Sequence, residues 1–153
     1  MRSFLIAKEN VFDADIRSRQ CASQPMSYKI LTVDDSRMVR MIVTKTFLPY
    51  GCEVYEAGNG TDALVVAEAV LPDLIFLDIT MADMSGLEVL EKMRQIESLQ
   101  ATPVIMLTAE SGNNSIERAD RWNIAGYISK PFKPQQLLSQ ASQILALQSL
   151  VTT

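Results

Sequence analysis

Asp73-Leu74-Ile75-Phe76-Leu77-Asp78, running on into Ile79-Thr80-Met81-Ala82-Asp83-Met84-Ser85-Gly86, is the stretch on which the reading of the whole chain turns. A short, unbroken apolar run predicts a strand buried on both faces, as in the middle of a parallel sheet between layers of helices. Asp78 stands where that strand should end. Packing does not explain a carboxylate there, because burying an unpaired charge is costly. It must be solvated, paired or bound to a cation. In open α/β sheets, ligands bind beyond the carboxyl ends of the strands, near the point where strand order reverses. Asp78 is therefore either a crevice residue or an ordinary turn and helix-cap aspartate, and the ends of the other strands decide between the two.

Working outward, Lys29 to Val33 reads as strand one, followed by Asp34-Asp35-Ser36. Met38, Val39, Ile42, Val43, Thr46 and Phe47 recur at helical steps as helix one, which stops at Pro49-Tyr50-Gly51. Cys52 to Ala57 is strand two. Gly58-Asn59-Gly60-Thr61 turns the chain into helix two, with Ala63, Leu64, Ala67, Val70 and Leu71 on its apolar side. Helix three runs from Gly86 to about Leu99. Pro103 to Leu107 is strand four, ending at Thr108-Ala109-Glu110. Asn114 to Trp122 is a short helix four, and Gly126 to Ser129 is strand five, ending in Lys130-Pro131. Pro134 opens helix five, with Leu137, Ala141, Ile144 and Leu145 facing inward. Five alternations of strand and helix, with near-continuous apolar strands, predict an α/β doubly wound parallel sheet with helices on both faces.

The 153 residues are enough for one domain with a sizeable core, and 48% hydrophobic with 21% charged residues is ordinary for a globular protein. Residues 1–25 show no clean period and end in the breaker Ser23-Gln24-Pro25, so they are expected to be an extension, partly helical or disordered, ahead of a domain at 26–153. A net charge of −4 argues against a nucleic-acid surface and suits cation binding. No apolar stretch approaches a membrane span, and Phe4 to Ala7 is too short for a signal-peptide core, which places the chain in the cytoplasm. Cys21 and Cys52 lack metal-ligand spacing and read as free thiols. Histidine is absent, so any chemistry must run on carboxylates, hydroxyls, lysine and a hard cation.

In a parallel sheet, Asp34-Asp35, Asp78, Thr108 and Lys130 all fall at one edge. Each has a bland reading as a cap, a strand terminus or a solvated charge. Together they make a crevice of three carboxylates, a hydroxyl and an amine. Repelling carboxylates are best tolerated around a divalent cation, and Mg²⁺ takes oxygen ligands while keeping several waters. A carboxylate beside such an ion can act as nucleophile on a phosphoryl group, with a lysine charge and a threonine hydroxyl stabilising the transferred oxygens.

At these residues the chain resembles the receiver domain of two-component response regulators, closest to the single-domain, chemotaxis-regulator type. The likeness spans about residues 28 to 148 and rests on Asp34-Asp35, Leu77-Asp78, Gly86 eight residues later, Thr108-Ala109-Glu110, and Tyr127 ahead of Lys130-Pro131-Phe132. It implies a flavodoxin-like sheet of order 2-1-3-4-5. It implies phosphorylation of Asp78 by a histidine kinase or phosphotransfer protein, with the domain catalysing its own phosphorylation and dephosphorylation. Mg²⁺ would be held by Asp34, Asp35, Asp78 and the Thr80 main-chain carbonyl, and Lys130 would contact the phosphate. Thr108 and Tyr127 would couple occupancy to the face made by helix four, strand five and helix five, where a downstream protein target docks. The Lys130-Pro131 bond is expected to be cis. Ala82 departs from the family's usual proline, which leaves the loop after Asp78 freer.

With Thr153 a few residues past helix five, output is expected to pass through a binding partner rather than direct contact with nucleic acid or insertion in a membrane. Trp122 reads as ordinary packing or as an aromatic anchor for a partner. Arg118, Arg121 and Lys133 read as a solvated face, and Gln135, Gln136, Gln140 and Gln143 as a neutral polar one. The alternatives are a Mg-dependent phosphatase with an aspartyl nucleophile, a flavodoxin-like electron carrier, and a degenerate receiver used only for binding. The first wants an acid where Thr80 stands, the second a glycine- and hydroxyl-rich loop where Asp34-Asp35 stands, and the intact acid set argues against the third.

Overall fold

The computed structural model describes residues 27–109 and 113–148, with the backbone alone at 113–116. The expected extension at residues 1–25 and the Glu110-Ser111-Gly112 part of the loop after strand four lie outside them. The elements are β1 (Lys29–Val33), α1 (Arg37–Phe47), β2 (Glu53–Ala57), α2 (Gly60–Val70), β3 (Leu74–Asp78), α3 (Gly86–Arg94), β4 (Val104–Thr108), α4 (Asn113–Asp120), β5 (Gly126–Ser129) and α5 (Pro134–Ser142). All strand pairs are parallel, in the order β2-β1-β3-β4-β5.

Every residue of β3 and β4 is buried, and the two-residue period of a strand sends alternate side chains to opposite faces. Ile75 and Leu77 join the layer with Ala63, Ala67, Leu87, Leu90 and Met93 from α2 and α3. Leu74 and Phe76 join the opposite layer with Val43, Phe47, Leu137 and Ala141 from α1 and α5. There Phe76 meets Phe47 at a ring-centroid distance of 5.6 Å. The layers need both faces of β3 apolar, which is why its sequence shows no alternation. Thr32 of β1 places a hydroxyl in the core, and its Oγ1 is buried without a hydrogen-bond partner among the described residues.

Two residues depart from the expected apolar faces. Met38 is 71% exposed, because it lies one residue out of step with Val39, Val43 and Phe47, which face the sheet. Leu71 is the cap of α2 at φ 55°, and that left-handed turn swings its side chain outward to 51% exposure. Helix three is also shorter than its pattern, ending at Arg94 before a 3-10 turn at Glu97–Leu99. The helix stops where Ile96 turns extended at φ −95°, ψ 120°, and the Arg94 guanidinium holds the turn beyond it. It donates to the carbonyls of Leu99 and Thr102 at 3.0 Å each and to that of Trp122 at 2.8 Å, fastening the ends of α3 and α4 to the lead-in of β4. Burial lowers the Arg94 pKa from its ordinary value. Trp122 itself packs, half-buried, against the layer above α3.

Candidate functional site

Strand order reverses between β1 and β3, so the ends of these neighbours flank the crevice of the sheet. Asp34 follows the last residue of β1, Asp78 is the last of β3 and Thr108 the last of β4, while Lys130 follows β5. The Lys130 backbone N–H donates to the Thr108 carbonyl at 2.7 Å, which brings its side chain back along the rim. The Lys130-Pro131 peptide bond is cis.

The crevice gathers the acids. One carboxylate oxygen each from Asp34, Asp35 and Asp78 lies within 4.8 Å of the others. Asp34 is fully buried, Asp78 is 2% exposed and Asp35 faces solvent. Lys130 Nζ donates to Asp34 Oδ2 at 2.7 Å and to Asp78 Oδ1 at 3.2 Å. One ammonium thus serves two buried carboxylates, leaving the cluster net negative. Burial, and next the Asp34 charge, push the Asp78 carboxyl above its ordinary pKa against the pull of Lys130 and the Thr80 N–H. For Lys130, burial works downward but the hydrogen bond and charge of Asp34, with Asp78 behind it, win and raise its pKa. Asp34 Oδ1 also accepts from the Ser36 N–H at 2.8 Å, and the Thr80 N–H reaches Asp78 Oδ1 at 3.4 Å.

This donor set fits a hard divalent cation: three carboxylates with an incomplete internal counter-charge, one of them open to water. Thr80 is exposed at the rim, two residues past Asp78. Thr108 is 2% exposed at the end of β4, and Tyr127 on the neighbouring strand is 45% exposed. Tyr127, Ser129, Gln136 and Gln140 line a groove between β5 and α5.

Two contributors went unmarked in the sequence, and a third was marked without its steric reason. Arg40 donates to the Asp34 carbonyl at 2.6 Å and pairs with Glu56 at 2.9 Å, locking the acidic loop to the end of β2. Gly86 comes so close to the Asp78 carbonyl that an added Cβ would collide with that oxygen. Asp83 ties the loop after Asp78 to the start of α2. Gly86 stood in the motif as a family marker without this steric reason. For Arg40 and Asp83 no spacing signal was present, because their partners are mostly main-chain atoms.

Comparison with known proteins agrees with this geometry. Residues 30–142 match the response regulator receiver domain model. The chain is 35% identical over 121 residues to a probable transcriptional regulator, ycf29, of Pyropia yezoensis, covering 79% of this chain and 54% of that one. It is 30% identical over 124 residues to sporulation initiation phosphotransferase F of Bacillus subtilis, covering 81% of this chain and 98% of that one. The structure of the Vibrio cholerae chemotaxis protein CheY4 superposes with a TM-score of 0.74 at 32% identity, covering 78% of this chain and all of that one. The chain spans about half the length of the Pyropia relative. A fold wound 2-1-3-4-5 with an acidic crevice at the switch point and a lysine across it is the architecture of a receiver domain. The chain belongs to the response regulator receiver domain family.

Proposed function

We propose that Asp78 is the phosphoacceptor, that a histidine kinase or phosphotransfer protein is the donor, and that residues 26–153 form the switch with residues 1–25 as an appendage. The observation that carries this reading is the convergence of Asp34, Asp35 and Asp78 within 4.8 Å under a shared Lys130. Asp34, Asp35, Asp78 and the Thr80 carbonyl would hold Mg²⁺. When bound, the ion supplies charge neutralisation for the phosphoryl oxygens and template orientation.

The residues do the rest by position. A carboxylate oxygen of Asp78 forms the new bond to phosphorus while the bond from phosphorus to the donor imidazole breaks, and the electron pair leaves with the imidazole. Lys130, already 3.2 Å from Asp78, offsets part of the charge of about −1.5 to −2 that a phosphoryl group adds. The Thr108 hydroxyl moves toward the new oxygens, and the space it leaves admits Tyr127 from its exposed position. That pair of movements favours one of two pre-existing arrangements of the face made by α4, β5 and α5. A downstream protein target reads this change. The phosphatase alternative is disfavoured, because Thr80 supplies no carboxyl at the position a general acid would need.

Incubation with acetyl phosphate and Mg²⁺, followed by intact-mass measurement, tests the chemistry. A single phosphate adduct on the wild type and none on Asp78→Asn is the expected result. An equal adduct on Asp78→Asn, or none on the wild type, overturns it.

A further inference from the structure

The loop Ile79 to Ser85 carries Thr80, and its two ends are fixed by hydrogen bonds: the Ile79 N–H to the Leu107 carbonyl at 3.0 Å and the Gly86 N–H to the Ile79 carbonyl at 2.7 Å. Between them the chain has no proline, since Ala82 takes that place. Restraint comes instead from Asp83. Its Oδ1 accepts from the Gly60 N–H at 3.0 Å, and its Oδ2 from the Thr61 N–H and Thr61 Oγ1 at 3.2 Å each. These are the first two N–H groups of α2, which the helix cannot pair internally. The third, of Asp62, goes to the cap residue Asn59 at 2.8 Å.

The fit is close as well as polar. A Cβ at Gly60 would stand 2.9 Å from Met84 Cβ and 2.9 Å from Val89 Cγ2. The second half of the loop therefore lies flush on the start of α2, with glycine there because nothing larger fits. A carboxylate at a helix N-terminus is favoured by the aligned peptide dipoles, and the Gly60 hydrogen bond, helped less by those of Thr61, holds the Asp83 pKa below its ordinary value against the opposing effect of burial.

We propose that Asp83 is a positioning residue which, by clamping the middle of this loop to α2, holds the Thr80 carbonyl ready for Mg²⁺ and supplies the restraint that proline at position 82 would otherwise give. The inference rests on the metal site proposed above. A carbonyl that must be ordered before it can bind lowers apparent affinity by the fraction of time it is in place. Partners one shell beyond a metal's ligands commonly change its affinity by about tenfold or more.

The test is Mg²⁺ binding by the unphosphorylated protein, followed by NMR titration, with hydrogen exchange at residues 79–84 measured on the same samples. Asp83→Ala is expected to weaken Mg²⁺ binding about tenfold and to speed exchange across the loop. Asp83→Asn, which keeps one acceptor oxygen, falls between it and the wild type. Ala82→Pro in the Asp83→Ala background restores most of the affinity, while Ala82→Pro alone changes it less than about twofold. A role confined to capping α2 would not be rescued from position 82. Affinity within twofold of wild type in both Asp83 variants overturns the inference, as does a loss that Ala82→Pro leaves uncorrected in a folded protein. Failure of the wild type itself to bind Mg²⁺ overturns the metal site first, and is told apart because loop exchange still responds to Asp83.

Discussion

Replacing Asp78 by asparagine should make the metal-free protein more stable, although it abolishes the proposed reaction. The argument is a balance of charges. Lys130 Nζ sits 3.2 Å from Asp78 Oδ1, an attraction of roughly 5 kcal/mol at an effective dielectric of about 20. A carboxylate oxygen of Asp34 within 4.8 Å opposes it by roughly 3.5 kcal/mol or more at the same dielectric. Asp35 is exposed, so water screens most of its share. The Coulomb terms thus leave a net attraction of only about 1.5 kcal/mol, against which stands the cost of removing the Asp78 carboxylate, 2% exposed, from water. That cost is several kcal/mol for a buried ion, on the order of 2–4 kcal/mol after relaxation. Asparagine is close to the same size, and Lys130 keeps its 2.7 Å contact with Asp34. A gain of about 0.5–2.5 kcal/mol follows once the net attraction of the site is forfeited.

Thermal unfolding in chelator should show this as a Tm rise of roughly 2–10 °C. Saturating Mg²⁺ should then reverse the order, since a ligand at a hundredfold excess over its Kd stabilises the wild type by about 2.7 kcal/mol. The pH dependence follows from the same site. Folded Asp78 has a raised pKa, so between its unfolded and folded values the native state binds more protons than the unfolded one. Its contribution is fully present below the ordinary aspartate range and is lost as pH rises through the folded value. Asparagine at 78 removes that slope. A lower Tm for Asp78→Asn in chelator would refute the charge balance.

Two further outcomes are expected. Thr32→Val should raise the urea midpoint, with a gain of about 1 kcal/mol, because it replaces a buried hydroxyl that lacks a partner with a methyl of the same shape; a lower midpoint would mean that the hydroxyl is satisfied. Gly86→Ala should cost about 1–3 kcal/mol and slow phosphorylation by acetyl phosphate, since its Cβ must displace the backbone at Asp78 and Ile79. Wild-type stability and rate in that variant would show that the loop yields freely.

Much of this architecture was legible from residue order. Leu74 to Leu77 could only be a two-sided strand, and once the alternation of elements was fixed, Asp34, Asp78, Thr108 and Lys130 had to share a rim. The crevice acids stood out because charge at the end of an apolar strand demands a partner. Met38 and Leu71 were misread for local reasons: a helix start permits a one-residue shift of its apolar stripe, and a left-handed cap at Leu71 has no marker when the residue is not glycine. Arg40, Asp83 and Arg94 stayed hidden for a more general one. Their partners include carbonyls and N–H groups, which every residue carries, so pairing of this kind leaves no pattern to find.

The three carbonyls on Arg94 bear on how a signal can travel. Trp122 O is held at 2.8 Å, two residues past the end of α4, so the foot of that helix is tethered to α3. Any rearrangement of α4 is then a swing rather than a slide, and spin labels spaced along it should register displacement that grows toward Asn113.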